Sequence, residues 1–299
     1  RRQRQMCIRD RVITDGQPYT HEYVNMMREQ GHKVYVQVSP TMAQTTNGRT
    51  RHIDLFNKAD VVKALEDIAF VVIIGDPHYS NNALTQGRVI NLERLIYDNL
   101  ATAMHQAGVQ KCLAIQARLN PILEKTLAAY NIDVIHQKIK VRHLKWGKRA
   151  LYQLSKETQT VRSIQALEIP ENVSMDGVTS MYGRFLKTLN GRLINGVYDG
   201  TRFTIILMPF KLPLIQMYHD TTSDPVKSVV LNITGGLLVK RSGRIPRLEF
   251  RRLEGATTTC LIALHDFVPR LPWPIYRLTQ APLHVGVSYL FYKYWNSFK

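Results

Sequence analysis

The run Phe70-Val71-Val72-Ile73-Ile74 restricts the fold more than any other segment of the chain. Five consecutive apolar side chains, four of them β-branched, predict a strand covered on both faces, as at the centre of a parallel sheet. Around this run, strand-like segments alternate with helical periodicity at 12–14, 22–30, 34–38, 52–55, 59–67, 92–107, 111–115, 120–130 and 133–136. This alternation predicts right-handed βαβ units and an α/β domain over residues 12–150, with an open, doubly wound parallel sheet.

The second half of the chain, residues 160–299, has a different pattern. β-rich segments follow one another with turn signals between them, among them Asn190-Gly191, Asp199-Gly200 and Asp224-Pro225. Helical patterns occur at 176–189 and 274–298. We therefore predict an α+β domain with a mostly antiparallel sheet that is covered on one face by helices.

The composition favours a globular protein of a reducing compartment. With 299 residues and 44% hydrophobic side chains, the chain is long enough to bury a large core. Its longest apolar run, Ile68 to Ile74, has seven residues. A membrane-spanning helix needs roughly 20, so a soluble, cytoplasmic protein is expected. The three cysteines, Cys7, Cys112 and Cys260, are too scattered for a disulfide framework or a closed zinc site, and no metal site is predicted.

The formal net charge of +17 is unevenly distributed. Residues 138–149 contain six lysines and arginines and no acid, and a second basic stretch runs from Lys240 to Arg252. Such stretches are typical either of a solvated charged face or of a surface that binds a nucleic acid, a phosphate or an anionic membrane. Because no helix-turn-helix, RNA-binding aromatic motif or zinc knuckle accompanies the charge, a nucleic acid is the less favoured partner. Peripheral contact with an anionic membrane is the alternative.

Residues 1–11 differ from the rest of the chain. They carry five arginines and one aspartate and have no apolar periodicity. The stretch from Met6 to Arg11 resembles the translated end of a transposase-type sequencing adaptor, which implies a non-native segment. Residues 1–11 are therefore excluded from the predicted fold.

The order of short motifs from Ile13 to Gln116 resembles the Rossmann half of an atypical or extended short-chain dehydrogenase/reductase. These motifs are Gly31-His32 after the first helix, Asp54-Leu55 after the third strand, Ala64 to Asp67 before the fourth strand, and Asn99, Ala101 and Ala103 ahead of Ala107-Gly108-Val109. The resemblance implies an NAD or NADP cofactor at the carboxyl ends of the strands. The cofactor-binding residues that it implies are Gly16 in the first turn, Asp54 and Leu55 at the adenine, Gly75 after the fourth strand, and Asn99.

Two motifs of that family are altered here. Its G-x-x-G-x-x-G phosphate loop falls on Asp15, Pro18 and His21, so the glycines that make the tight turn and admit the pyrophosphate are replaced. The family also has a serine after the fifth strand, which here ends in Ile115-Gln116-Ala117.

The candidate catalytic residues are Tyr152 and Lys156, which have the spacing of the family's Tyr-x-x-x-Lys pair. They come about 36 residues after the end of the fifth strand. A chance spacing on a segment between two domains is therefore the alternative.

Parts of the second half resemble the region that follows a dehydrogenase-like domain in some bacterial proteins of unknown function, such as Thr234 to Leu238 and Arg247 to Arg251. Two His-Asp pairs, His219-Asp220 and His265-Asp266, end predicted strands and could meet at one rim as acid/base groups or metal ligands. Adjacent strand residues point to opposite faces unless a bulge intervenes, so hydrogen bonding in caps and turns is the alternative.

Three hypotheses of function follow. The first is an NAD(P)-binding oxidoreductase- or epimerase-like protein whose α+β domain presents a small or lipid-like apolar ligand. The second is a catalytically inactive Rossmann scaffold, a pseudoenzyme that acts as a binding or regulatory module, which the replaced glycines and serine favour. The third is binding to an anionic membrane or a nucleic acid through residues 138–149.

Overall fold

The computed structural model describes residues 10–14, 20–37, 50–76, 84–139, 160–189, 193–221, 223–240 and 243–298. The chain divides into two compact units, and each consists of two segments that alternate along the sequence. The first unit consists of residues up to 82 together with 92–153, and the second consists of 83–91 together with 154–299.

The helices and strands are numbered in chain order. They are β1 (Asp10–Thr14), α1 (His21–Glu29), β2 (Val34–Gln37), β3 (Thr50–Ile53), α2 (Lys58–Leu65), β4 (Phe70–Ile74), β5 (Leu84–Gly87), α3 (Val89–Gln106), β6 (Lys111–Gln116), α4 (Pro121–Ala129), β7 (Asp133–Lys138), β8 (Val161–Glu168), α5 (Met175–Leu186), β9 (Ile194–Tyr198), β10 (Arg202–Leu207), β11 (Leu212–His219), β12 (Ser228–Gly235), β13 (Arg247–Leu253), β14 (Ala256–Phe267) and α6 (Trp273–Asn296).

The first unit contains a six-stranded sheet in the order β3-β2-β1-β4-β6-β7. Every neighbouring pair of strands in it is parallel. The chain winds outwards from β1 to β3, returns to β4 beside β1, and then winds outwards in the other direction, which is the order of a doubly wound Rossmann sheet. The predicted α/β fold class is therefore confirmed for this unit.

The centre of this sheet is built from the apolar runs that the sequence singles out. Val71, Ile73 and Ile74 of β4 are fully buried, and so are Val12 and Ile13 of β1. On one side, Val24 and Met27 of α1 join the cluster formed by the strand side chains. Burial on both faces explains why β4 lacks the polar alternation of a half-exposed strand.

The first strand begins earlier than predicted. Asp10 and Arg11 belong to β1, where they pair with Phe70 and Val71 of β4. The Asp10 carboxylate also contacts the ring of His32, and the Arg11 guanidinium donates a hydrogen bond to the Ala64 carbonyl. The exclusion of residues 1–11 from the fold was therefore wrong for its last two residues, because strand pairing recruits them without any apolar periodicity.

The second unit contains an eight-stranded sheet in the order β5-β8-β14-β13-β12-β11-β10-β9. The pairs from β8 to β9 are antiparallel, as predicted for the second half of the chain. The strand β5 comes from inside the segment 12–150 and pairs in parallel with β8. Its sequence, Leu-Thr-Gln-Gly, has no strand periodicity, so only the pairing with the edge of β8 defines it.

Helices α5 and α6 cover one face of the eight-stranded sheet, and the core of the second unit lies beneath them. Tyr182 of α5 is its aromatic centre, with ring centroids of Phe250 and Phe291 at 5.6 and 5.0 Å in edge-to-face geometry. Such pairs stabilise a core beyond the burial of their area alone. Burial raises the pKa of Tyr182 to about 12, so its hydroxyl stays protonated.

Helix α5 approaches the edge strand β9 closely because both carry a glycine at the contact. A Cβ atom on Gly196 of β9 would lie 2.9 Å from the Gly183 carbonyl oxygen and 3.0 Å from a methyl group of Leu186. These distances are shorter than van der Waals contact, and the first involves backbone.

Replacing Gly196 with alanine should therefore lower the free energy of unfolding by about 1–3 kcal/mol, because the helix must move away from the sheet. Chemical denaturation measures this. Gly243→Ala is the matched control, since a Cβ atom there meets nothing within 4 Å. Equal stability of the two variants would contradict the close approach.

Candidate functional site

The candidate site lies at the carboxyl ends of the parallel strands in the first unit. In a doubly wound sheet the crevice for ligands opens where the strand order reverses, which is between β1 and β4 here. The residues that follow β1, β3, β4 and β6 therefore determine what the site can bind.

The turn after β1 is described only at its two ends. Thr14 closes β1 and Thr20 precedes α1, and both are fully buried, with their hydroxyl oxygens 3.3 Å apart. Gly16, Asp15 and Pro18 lie outside the described residues, so the predicted contact of Gly16 with a cofactor stays a prediction. His21 is the first residue of α1 and is exposed.

The turn after β3 brings three of the predicted cofactor-binding residues together. The Asp54 carboxylate accepts a hydrogen bond from the Phe56 backbone N–H at 3.1 Å. The Asn99 side chain, from α3, donates to the Leu55 carbonyl at 2.8 Å. Leu55 and Asn99 are fully buried. The Asn99 amide therefore holds the turn that carries Asp54, and its predicted contact with a cofactor stays a prediction.

Gly75 follows β4 directly and has a φ of +82°, a conformation that glycine adopts without steric cost. Its N–H donates to the Ile115 carbonyl at 3.0 Å, and its carbonyl accepts from the Gln116 side chain at 2.9 Å. The carboxyl ends of β4 and β6 are thus joined on both sides of this glycine.

Gln116 is the centre of the polar network at this edge, and the sequence analysis did not identify it as a site residue. Its side-chain nitrogen also lies 3.3 Å from the Asp76 carboxylate, and its side-chain oxygen accepts from the Asn120 N–H at 3.1 Å. Gln116 is 1% exposed, so its own side chain is shielded from water. The absence of serine after the fifth strand was the one sequence signal that marked this position.

Asn120 extends the network to helix α3. Its side-chain oxygen caps α4 by accepting from the Ile122 N–H at 2.9 Å, and Pro121 occupies the first turn, so the predicted helix start is confirmed. The Asn120 side chain also donates to the Glu93 carboxylate at 2.8 Å. Burial raises the pKa of Glu93, and the hydrogen bond from Asn120 opposes this only in part.

Among the described residues of this edge, the side-chain amides of Gln116 and Asn120 form a structural network. A carboxamide is neither a nucleophile nor a proton donor of useful acidity at neutral pH, and the Gln116 amide is already engaged at both of its ends. Tyr152 and Lys156, the candidate catalytic pair, lie outside the described residues. So do residues 140–149 of the basic stretch 138–149.

The two His-Asp pairs of the second unit do not meet, so the expectation of a shared rim was wrong. His219 ends β11 and His265 lies near the end of β14, and the strands β12 and β13 lie between them in the sheet. The His219 ring lies 3.0 Å from the Gly200 carbonyl oxygen and 3.2 Å from the Ser223 hydroxyl, within turns.

His265 belongs to a buried charged cluster. A register shift in β14 occurs at His265-Asp266, and Asp266, with a φ of +52°, pairs with Arg247 at 3.3 Å. The Arg251 Nε atom donates to Glu249 at 2.6 Å, and His265 Nε2 lies 3.5 Å from the same carboxylate. His265, Glu249 and Arg251 are at most 5% exposed.

The electrostatics of this cluster keep His265 neutral. Burial, helped by the charges of Arg247 and Arg162, lowers the pKa of His265 to about 4 despite the neighbouring Glu249. Burial alone would raise the pKa of Glu249, but the guanidinium of Arg251 and the contact with His265 hold it well below its usual range. Among the described residues, no group of three or more His, Cys, Asp or Glu side chains could hold a metal ion.

The search for membrane-spanning helices gave a negative result within the described ranges: none of those helices is both long and apolar enough to cross a bilayer.

Comparison with known proteins gives one relative that spans most of the chain. No protein-family model matches. The auxiliary protein GraX of Staphylococcus aureus is 24% identical over 280 residues, and the match covers 91% of this chain and 88% of GraX.

Solved structures match over a smaller region. The triphenylmethane reductase of Citrobacter sp., complexed with NADP(H), is 16% identical with a TM-score of 0.33, and the match covers 43% of this chain and 48% of the reductase. The NADPH-dependent quinone oxidoreductase of Escherichia coli, complexed with NADPH, is 16% identical with a TM-score of 0.32 and has the same two coverages. The chain thus spans about half the length of each solved structure.

The Gln116 network leads to a test by charge. Gln116→Glu places a carboxylate against the Gly75 carbonyl and the Asp76 carboxylate, so we expect the free energy of unfolding to fall by about 2–4 kcal/mol at neutral pH. These neighbours raise the pKa of the new acid, and its protonation restores a donor. The difference between variant and parent should therefore shrink as the pH is lowered. Gln110→Glu, at the exposed residue just before the same strand, is the control, and equal losses in both would refute the network.

His265 leads to a test by pH. The unfolded chain binds a proton at this histidine below pH 6.5, whereas the folded chain resists protonation until about pH 4. Stability is therefore lost as the pH falls through that window, and His265→Gln should show a shallower decrease in Tm with falling pH. The same substitution at the exposed His105 is the comparison, and identical slopes in both variants would contradict the assignment.

Proposed function

We propose that this chain is a Rossmann-type NAD(P)-binding protein that uses the dinucleotide for binding or regulation rather than for hydride transfer. The observation that carries the proposal is the state of Gln116, which fills the end of β6 with an amide engaged by Gly75, Asp76 and Asn120. The reductase-like resemblance places a serine hydroxyl in this region, and a buried amide cannot replace its chemistry.

Binding of a dinucleotide is supported by the parts of the edge that keep the family pattern. The strand order provides the crevice between β1 and β4, and the turn at Asp54 and Leu55 is held in place by Asn99. Gly75 allows a ligand to approach the backbone closely after β4, because this residue carries no side chain. The reductases with NADP(H) or NADPH bound are consistent with this choice of ligand.

A regulatory role is supported by the relative of nearly full length. GraX is described as an auxiliary protein, a description that agrees with binding without turnover. The second hypothesis, an active oxidoreductase or epimerase acting on a small or apolar substrate, depends on Tyr152 and Lys156. The spacing of that pair is what favours it.

The proposal is tested by titration of the full chain with NADH and NADPH, with binding measured by cofactor fluorescence and by calorimetry. We expect saturable binding, and we expect Asp54→Asn to weaken it by about tenfold, as for the loss of one hydrogen bond to a charged acceptor. The variant keeps an oxygen for the Phe56 N–H, so its Tm should remain close to that of the parent. Asp133→Asn, at the exposed start of β7, is the matched control.

The outcomes separate the hypotheses. Binding without consumption of the dinucleotide across a panel of carbonyl and nucleotide-sugar substrates supports the proposal. Turnover that is lost in Tyr152→Phe and Lys156→Met would overturn it in favour of the oxidoreductase. If neither NADH nor NADPH binds at millimolar concentration, the dinucleotide is removed from both hypotheses.

A further inference from the structure

The two ends of the eight-stranded sheet carry opposite charge. The described residues at one end of the antiparallel strands, which we call the basic end, are 187–189, 193, 208–211, 236–240, 243–246 and 268–272, and they contain five lysines and arginines and no aspartate or glutamate. The described residues at the other end, the acidic end, are 169–174, 199–201, 220–221, 223–227 and 254–255, and they contain five acids and one lysine. The lysine, Lys227, is paired with Glu254 at 2.7 Å.

The segments of the basic end are neighbours in space, because the antiparallel strands bring their ends together. Backbone hydrogen bonds connect these segments to one another or to the strand beside them: Met208 N–H to the Leu193 carbonyl at 2.7 Å, Leu237 N–H to the carbonyl of Pro213 in β11 at 3.0 Å, and Lys240 N–H to the Val268 carbonyl at 2.9 Å. The basic end is therefore one continuous surface.

Large apolar side chains project from this surface. Phe210, at the tip of the hairpin between β10 and β11, is 73% exposed, and Ile245 is 66% exposed. Leu193, Leu212 and Leu237 are each more than 40% exposed. Among the charged side chains around them, Lys187, Lys211, Lys240 and Arg270 are exposed.

Apolar tips surrounded by basic groups match the interface of an anionic bilayer. The aliphatic and aromatic tips would enter the boundary between headgroups and acyl chains, and lysines and arginines would contact lipid phosphates. A nucleic acid would engage the basic groups but would leave the apolar tips in water, since its contacts are mainly to phosphates and base edges.

We propose that the basic end is a docking surface for an anionic lipid bilayer. The acid nearest to it in sequence, Asp266, is already paired with Arg247 and adds no free negative charge. The acidic end lies at the opposite end of the strands and is repelled by the same membrane, so the charge asymmetry fixes the orientation of the sheet. The residues of this surface are different from residues 138–149, which the sequence analysis considered for the same partner.

The test is flotation of the full chain with two vesicle preparations, one of phosphatidylcholine alone and one that also contains about 30% phosphatidylglycerol. We expect binding to the second only, and release in about 0.5 M NaCl, where the Debye length is only a few ångströms. Equal binding to both preparations, or to neither, would overturn the proposal.

Variants locate the binding on the basic end. Lys211→Glu combined with Lys240→Glu should weaken partitioning at least about tenfold. Lys63→Glu combined with Lys125→Glu makes the same change in net charge on exposed positions of α2 and α4, and it should bind nearly as the parent does. Equal weakening in both pairs would show that net charge alone is responsible, against the proposal.

The apolar tips are tested separately. Phe210→Ser with Ile245→Ser should reduce partitioning, whereas Val226→Ser, which removes a 59% exposed side chain at the acidic end, should not. All of these positions are exposed, so an unchanged Tm shows that the fold persists. Binding to duplex DNA that depends on Lys211 and Lys240 but not on Phe210, without vesicle binding, would assign the surface to nucleic acid instead. Titration of the same variants with NADH and NADPH measures cofactor binding separately. Failure of vesicle binding can therefore be distinguished from failure of the proposed function.

Discussion

Burial of β1 and β4 on both faces is the constraint on which the first unit depends. A strand with no exposed face can satisfy its backbone only through neighbouring strands, and parallel neighbours require helical crossovers. Right-handed crossovers that wind both ways from β1 place all the carboxyl ends at one edge. The polar groups at that edge then have few partners except one another, which is why Gly75, Gln116 and Asn120 form a connected network.

That network also limits the chemistry of the edge. The hydrogen bonds that close the ends of β4 and β6 use the side chain at the position where a reactive group would otherwise be held. In the core of the second unit, aromatic rings pack beneath α5 and α6, and the Arg251 guanidinium pairs with the Glu249 carboxylate beside the neutral ring of His265.

Much of the parallel sheet could be predicted because its signals are local. Short windows of the sequence show the apolar runs of β1 and β4, the cap at Asn120 and the adjacent residues Asp54-Leu55. The hydrogen bond from Asn99 to the Leu55 carbonyl could not be predicted, because its two residues are 44 positions apart in the sequence. Gln116 was missed for the same reason. His265 was singled out, but its burial could not be predicted because a register shift in β14 decides which way it points. Contacts of long sequence separation and bulges leave no periodic signal.

Because of β5, a single cut in the gene cannot separate the two units cleanly. Residues 83–91 belong to the second unit, while the chain before and after them belongs to the first, so the backbone passes between the units three times. A fragment that begins at residue 160 would lack β5 and expose the hydrogen-bonding edge of β8, which invites pairing with other chains. The two units are therefore one heritable module, and recombination that cut the gene once between them would separate a strand from its sheet.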